Sequence, residues 1–439
     1  MMDDITQDFE REPVPAHLRR NWVSLSLVWI AVGIDLSSML LGVQLSGGLS
    51  LSKAIFAIIV GSLILGVMSG FCAYIGAVTN LSTAMISRIA FGENGAKIVS
   101  TVLAVSLLGW FGVQAGFFAQ NAQMAVSEVV GINISENILA VIGGLLMMTT
   151  AIIGYRSIEK LSIFAVPLLF ILVMLSLYLA VNKHGMPSWE AVPQSGASLS
   201  TGVAISLVIG IFVAGTVTTP DVSRWAKSRT GAFIAAFFGF LIGNSFMLVM
   251  AVLLSKVMSE SNLTLIFLGV GLGIPSFFVL TLAQWTTNTN NLYGSGLGLA
   301  VLFQNVPKGL MTLFAGLFAT GLAFFGIFDH FEAFLNLISI FVPPIGGVYL
   351  SEYFFLNKRN FAFNTAIQNW RGYSIIAWLA ASFISYLTSP APAGLELMTL
   401  TTVPALDGFL AALILQVIIG YVWGRFKTTR STEHWEEAK

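Results

Sequence analysis

Gln284-Trp285-Thr286-Thr287-Asn288-Thr289-Asn290-Asn291 stands inside an apolar segment that begins near Leu263 and resumes at Leu292 through Phe303. Seven of these eight side chains are amides or hydroxyls. Each costs roughly 2–7 kcal/mol when moved from water into hydrocarbon without a partner. A chain that keeps them in one span supplies partners: neighbouring helices, water, an ion or a small molecule.

The rest of the 439-residue chain decides what surrounds that stretch. It is 56% hydrophobic and 10% charged, against about 25% charged for soluble domains. The composition is that of a polytopic membrane protein. Cationic and anionic residues balance at 21 each, so net charge says nothing about partners; no nucleic-acid partner is expected. Cys72 is the single cysteine, which excludes an internal disulfide framework and a multi-cysteine metal site. A Walker loop, an HExxH motif and a nucleotide-binding glycine fingerprint are all missing. His184, His330 and His434 fall in loops or the tail, and the chain does not read as an enzyme.

A transmembrane helix needs about 20 apolar residues. Twelve segments qualify: 24–46, 53–78, 97–128, 138–154, 160–182, 201–219, 231–257, 274–303, 309–327, 331–355, 373–389 and 406–425. An even number puts both termini on one side. The loops on that side carry Arg88, Lys97, Arg156, Lys160, Arg224, Lys227, Arg229, Lys358, Arg359 and Arg371. Lys53, Lys183 and Lys256 lie on the other. This positive-inside bias predicts cytoplasmic termini in a bacterial inner membrane.

Two spans are interrupted at matching places. The first contains Gly33-Ile34-Asp35-Leu36-Ser37-Ser38, and the sixth contains Gly210-Ile211-Phe212-Val213-Ala214-Gly215-Thr216. Each opens a block of five spans. Paired breaks of this kind predict an inverted repeat with a binding site near the midplane.

Several residues are placed to build such a site. Ala283, Thr286 and Thr287 share one helical face through i, i+3, i+4 spacing. Two hydroxyls beside a carbonyl suit a hard monovalent cation, and they equally suit helix–helix hydrogen bonds. Asn288 offers a donor and an acceptor to a heterocycle edge or to another helix. Trp110 and Gln114 are i, i+4 neighbours and present a flat ring with an amide. Phe212, in the sixth-span break, is the candidate for the opposite wall; ordinary aromatic packing is the competing reading. Asp35 is a carboxylate in mid-span, so it is paired, protonated, beside a cation or in a wet vestibule.

Together these residues resemble the nucleobase:cation symporter-1 family, in particular its cytosine permeases. The resemblance rests on Trp285-Thr286-Thr287-Asn288, Leu292-Tyr293, Ser295-Gly296-Leu297-Gly298, Gly109-Trp110-Phe111-Gly112-Val113, Tyr74-Ile75-Gly76-Ala77 and Pro343-Pro344-Ile345-Gly346-Gly347. It implies an all-α polytopic LeuT-type fold of 12 transmembrane helices, two inverted five-helix repeats plus two extra helices. The chain then divides into a cytoplasmic tail (1–21), a first repeat (22–182), an external loop (183–200), a second repeat (201–356), two added helices (357–425) and a C-terminal tail (426–439).

The resemblance also implies cation-coupled import of a nucleobase, with Na⁺ ahead of H⁺ and no organic cofactor. Trp110 and Phe212 map to the stacking aromatics, and Gln114 and Asn288 to groups that touch substrate. Thr286, Thr287 and the Ala283 carbonyl map to the sodium shell, completed by carbonyls near Gly33 and Leu36. Asp35 departs from the cytosine pattern, which has an apolar residue there; as a coupling acid it would either supplement the sodium shell or carry a proton itself. Leu107, Ala214 and Ala283 replace polar residues of the cytosine pattern. A related symporter for a purine, uracil, hydantoin or allantoin therefore stands as the alternative, with a passive facilitator or channel behind it. A monomer in the bilayer is expected.

Overall fold

Glycine, proline and short polar residues set where each helix stops. The computed structural model describes residues 9–34, 36–190, 199–260, 262–359, 361, 367–391 and 393–436. A 3-10 turn, α1 (Ala16–Leu18), precedes α2 (Trp22–Gly33), α3 (Leu36–Gly48), α4 (Leu51–Thr79) and α5 (Thr83–Phe91). Then come α6 (Glu93–Val130), α7 (Glu136–Ile153) and α8 (Tyr155–His184). The second half holds α9 (Thr201–Gly210), α10 (Val213–Val217), α11 (Pro220–Ser223), α12 (Arg229–Met258), α13 (Leu263–Gly269), α14 (Gly273–Leu302), α15 (Lys308–Phe324) and α16 (Phe331–Ser351). Two further helices, α17 (Gly372–Thr388) and α18 (Pro404–Glu436), close the chain. Among the described residues there is no strand, only an isolated bridge between Arg20 and Ala226.

The helix boundaries follow local chemistry. Asn21, Ser82, Ser200 and Ser228 each accept a backbone N–H of the helix they precede, which satisfies a donor that has no partner inside the helix. Gly154 parts α7 from α8 with φ +101°, a conformation open to glycine at low cost. Pro220 starts α11, where its missing N–H is not needed.

Seven described helices are long and apolar enough to cross a membrane, and the bent pair α2–α3 counts as an eighth. The apolar helices α9, α15 and α17 are shorter. Helix α14 runs 30 residues, but its polar run dilutes its hydropathy. The two breaks expected from sequence lie between α2 and α3 and between α9 and α10. Asp35 itself lies outside the described residues.

Close helix approach at the first break depends on small residues. A Cβ on Gly33 would stand 2.9 Å from the Asn244 nitrogen, and one on Gly239 would stand 2.3 Å from the Trp29 Cβ. A Cβ on Gly243 would meet the Ile30 carbonyl oxygen at 2.9 Å. Gly239 and Gly243 thus form a small-xxx-small face that brings α12 onto α2. Overpacking of this kind costs about 1–3 kcal/mol. Gly243→Leu is expected to lower the unfolding temperature in detergent; an unchanged transition would show that α2 and α12 separate freely.

Polar side chains tie α4 to the second break and to α12. The Ser69 and Thr216 hydroxyls are 2.9 Å apart, Thr219 Oγ1 donates to the Ser69 carbonyl at 3.3 Å, and Asn244 Nδ2 donates to Ser62 Oγ at 3.1 Å. These bonds supply the partners that such groups lack in lipid.

Candidate functional site

The polar run of α14 splits by helical face. Thr286 Oγ1 donates to the Ala283 carbonyl at 2.7 Å and stands 3.4 Å from the Ala31 carbonyl. Thr287 Oγ1 stands 3.4 Å from the Val32 carbonyl. Thr286, Thr287 and Ala283 are all buried. The two adjacent threonine hydroxyls of α14 thus each face a carbonyl of the last turn of α2, beside the first break.

Sequence reasoning places the Gly33 and Leu36 carbonyls beside the threonines. The structure brings the Ala31 and Val32 carbonyls to them, and the Gly33 carbonyl accepts Ser38 Oγ at 3.3 Å. Leu36 opens α3 on the far side of the break. The last turn of α2, just before the break, faces the threonines of α14.

The other faces of the run lock helices together. Thr289 Oγ1 and Thr150 Oγ1 are 2.6 Å apart, and Trp285 Nε1 donates to Thr150 Oγ1 at 3.0 Å, which joins α14 to α7. Asn288 Nδ2 donates to the Phe111 carbonyl at 3.1 Å and lies 3.2 Å from Met147 Sδ. Its Oδ1 accepts from Asn291 Nδ2 at 3.5 Å. Asn288 is fully buried, and its bond to Phe111 joins α14 to α6. Gln284 is also buried, and its Nε2 has no hydrogen-bond partner among the described residues.

Trp110 and Gln114 point to the other side of α6. Gln114 Nε2 donates to Ser37 Oγ at 3.2 Å, so the amide reaches the first turn of α3. The Trp110 ring meets Phe331 and Phe334 of α16 edge-on, each at 5.7 Å between centroids. Sequence reasoning misses these two rings, because phenylalanines in an apolar span look like any lipid-facing residue. Their signal is the glycine row on α6: a Cβ on Gly109 would stand 2.3 Å from Phe334 Cε2, and one on Gly116 would stand 2.8 Å from Phe328 Cβ. The row leaves room for aromatic side chains to lie across α6.

Phe212 is the residue before α10, within the second break. Its ring lies 6.0 Å from Phe240, inclined by 59°. Trp110 and Phe212 are each 5% exposed. Their ring neighbours differ, and no direct stack joins them.

The N-terminal arm closes one end of the bundle. Arg11 donates to the carbonyls of Ala300, Phe303 and Gln304 at the end of α14. Arg224, fully buried, donates to the Phe9 carbonyl and to the Tyr293 hydroxyl, each at 2.7 Å. Arg20 pairs with Glu159 at 3.0 Å. Cations here complement the negative end of the α14 dipole. Asp221 accepts the Thr83 N–H at 2.7 Å, and the Arg224 Nε donates to the Asp221 backbone carbonyl. Both residues anchor this loop.

Residues 13–384 match the family described as permease for cytosine/purines, uracil, thiamine, allantoin. The chain belongs to the nucleobase:cation symporter-1 family. Among relatives of this permease, the cytosine permease of Escherichia coli (strain K12) is 33% identical over 355 residues, 81% of this chain and 82% of that protein. The hydantoin permease of Microbacterium maritypicum is 25% identical over 90% of this chain and 84% of that protein. Among solved structures, the nucleobase-cation-symport-1 transporter Mhp1, in a closed conformation with bromovinylhydantoin bound, matches with a TM-score of 0.82. It is 18% identical and covers 95% of this chain and 96% of that one. An outward-open Na⁺-coupled sialic acid symporter matches with a TM-score of 0.70 at 12% identity, over 96% of this chain and 93% of that one. The fold of this family member is accordingly the LeuT type, and its relatives are permeases and not enzymes.

Proposed function

We propose that this permease imports a nucleobase, cytosine first, together with a sodium ion, by alternating access. The single observation that carries the reading is the oxygen cluster of Ala283, Thr286 and Thr287 against Ala31 and Val32. Hard cations of sodium's size bind oxygen at about 2.4 Å, which sets neighbouring ligands about 3.4 Å apart. The hydroxyl-to-carbonyl separations between α14 and α2 are 3.4 Å. In the absence of a cation each hydroxyl hydrogen satisfies a carbonyl. With one, hydroxyl and carbonyl oxygens both turn toward the charge.

The substrate side rests on Trp110, Phe212 and Gln114, with Phe331 and Phe334 covering the indole. Asn288 supports this site from behind, through the Phe111 backbone next to Trp110. Gln114 bonds to Ser37 just after the first break, and the threonines face α2 just before it. Ion and substrate thus favour the same placement of α2 and α3, so each tightens the other. Leu107, Ala214 and Ala283 lack the polar atoms of the cytosine pattern. That favours, as the second reading, another flat heterocycle whose edge suits a single amide. The protein sits in the inner membrane as a monomer, with both termini cytoplasmic.

A panel of cytosine, uracil, purines, hydantoin and allantoin tests the substrate class, scored by thermal shift with and without Na⁺. Cytosine is expected to stabilise most, and more so with Na⁺. A larger shift from another member would reassign the substrate, and uptake that never exceeds equilibrium would mark a facilitator. Asp35→Asn is expected to raise the sodium needed for half-maximal uptake about tenfold, the scale of one lost interaction with a charge. Normal coupling in that variant would make Asp35 a vestibule acid.

A further inference from the structure

A groove of about 650 Å³ runs along the outside of the bundle between α4, the end of α16 and α18. Leu63, Val67 and Phe71 form its α4 wall, spaced every four residues and each substantially exposed. Phe355 and Leu413 line the facing side. In a bilayer such a groove has no hydrophobic drive to close, since lipid tails are as apolar as leucine. What distinguishes it is the chemistry at one end.

At that end Phe354 lies 6.1 Å from Phe71 and 5.9 Å from Tyr74. The Arg359 guanidinium sits over the Phe354 ring at 5.6 Å, and the Arg229 guanidinium over the Tyr74 ring at 5.8 Å. The two rings that carry them are themselves neighbours, so both arginines share one neighbourhood. Among the described residues no acidic side chain pairs with either. Lys358 and Arg359 hold φ values of +48° and +66°, a region non-glycine residues enter rarely and often for function. The Arg359 N–H returns to the Tyr353 carbonyl at 2.7 Å, which turns the residue back toward the groove. Arg229 opens α12 just after the loop that bridges to Arg20, so this is the end covered by the N-terminal arm.

We propose that the groove binds an anionic phospholipid, with an acyl chain along α4 and the phosphate at Arg229 and Arg359. Arginine offers paired N–H donors that match a phosphate, and basic pockets between transmembrane helices recognise anionic headgroups. A second protomer would need acidic residues to face these arginines, and the lipid needs only its headgroup. Helix α4 packs mainly on α12, whereas α16 packs on α17 and α18, so the lipid bridges two helix groups that touch each other sparsely.

The test is native mass spectrometry and thermal shift of the delipidated full chain with dioleoylphosphatidylglycerol or dioleoylphosphatidylcholine. One retained phosphatidylglycerol and a larger stabilisation by it are expected. The Arg229→Gln/Arg359→Gln pair should weaken that preference about fivefold per arginine. Equal responses to the two lipids, or full preference in the double variant, would overturn the proposal. Photo-crosslinking of wild-type protein with an acyl-labelled phosphatidylglycerol does not depend on variant folding. Label on α4 and α18 peptides supports the site. Label confined elsewhere, or a lipid-independent dimer that shields this face, overturns it.

Discussion

Trp110→Ala is expected to abolish saturable cytosine uptake and to weaken binding at least thirtyfold. Stacking of a base on an aromatic side chain is worth about 1–3 kcal/mol, and the upper part of that range alone reaches this factor. The alanine also removes the surface on which Phe331 and Phe334 rest edge-on. Truncation of a buried aromatic costs about 3–5 kcal/mol in stability, so a folding control is needed. Trp110→Phe keeps a ring under both phenylalanines and a face for the base. It should fold normally and retain weakened binding. Isothermal titration of cytosine into the two variants separates the roles. Wild-type affinity in a folded Trp110→Ala protein would show that the indole packs against α16 without touching substrate.

The second large effect is expected at the threonine pair. Thr287→Ala removes an oxygen that faces the Val32 carbonyl, and Thr286→Ala removes one that faces the carbonyls of Ala31 and Ala283. A hydrogen bond or ligand contact to a charged group is worth about 1.5–3 kcal/mol, so each change should raise the sodium requirement by about tenfold or more. Thr287→Ser restores the oxygen and should restore coupling, which a packing role alone would not do as sharply. Thr287→Val keeps the volume without the hydroxyl and should behave like alanine. Proteoliposome uptake against imposed sodium gradients reads this directly. Sodium stimulation that survives in Thr287→Val would remove the hydroxyl from the cation shell.

The polar run in α14 makes a membrane-embedded polar site legible in the sequence itself, because hydrocarbon makes unpaired amides and hydroxyls expensive. The two helix breaks are equally legible, since Gly33–Ser38 and Gly210–Thr216 crowd small and polar residues into apolar spans. Which side chain faces which neighbour is not. Spacing puts Thr286, Thr287 and Ala283 on one face, but the rotation of α2 decides which carbonyls meet them, and backbone carbonyls leave no trace in residue identity. Asn288 shows the same limit. Its amide could serve a substrate or a helix, and only the positions of Phe111 and Met147 reveal that its donor is engaged. Phe331 and Phe334 are invisible because an aromatic in an apolar span carries no mark of its partner. The glycine row Gly109, Gly112, Gly116 is the available clue, and it indicates close packing without naming what packs.

Arg11 belongs to the same class. A charged residue near a terminus reads as a topology signal, yet here its guanidinium reaches the carbonyls of Ala300, Phe303 and Gln304. A contact across nearly three hundred residues of sequence is set by the fold, and no local pattern announces it.

The most direct measurement is the affinity of purified protein for cytosine at zero and saturating Na⁺, at fixed ionic strength, paired with sodium affinity with and without cytosine. The expected result is tighter binding of each ligand in the presence of the other, by the same factor, as linkage requires. Cytosine affinity that is identical with and without sodium would contradict a shared site at the α2–α3 break.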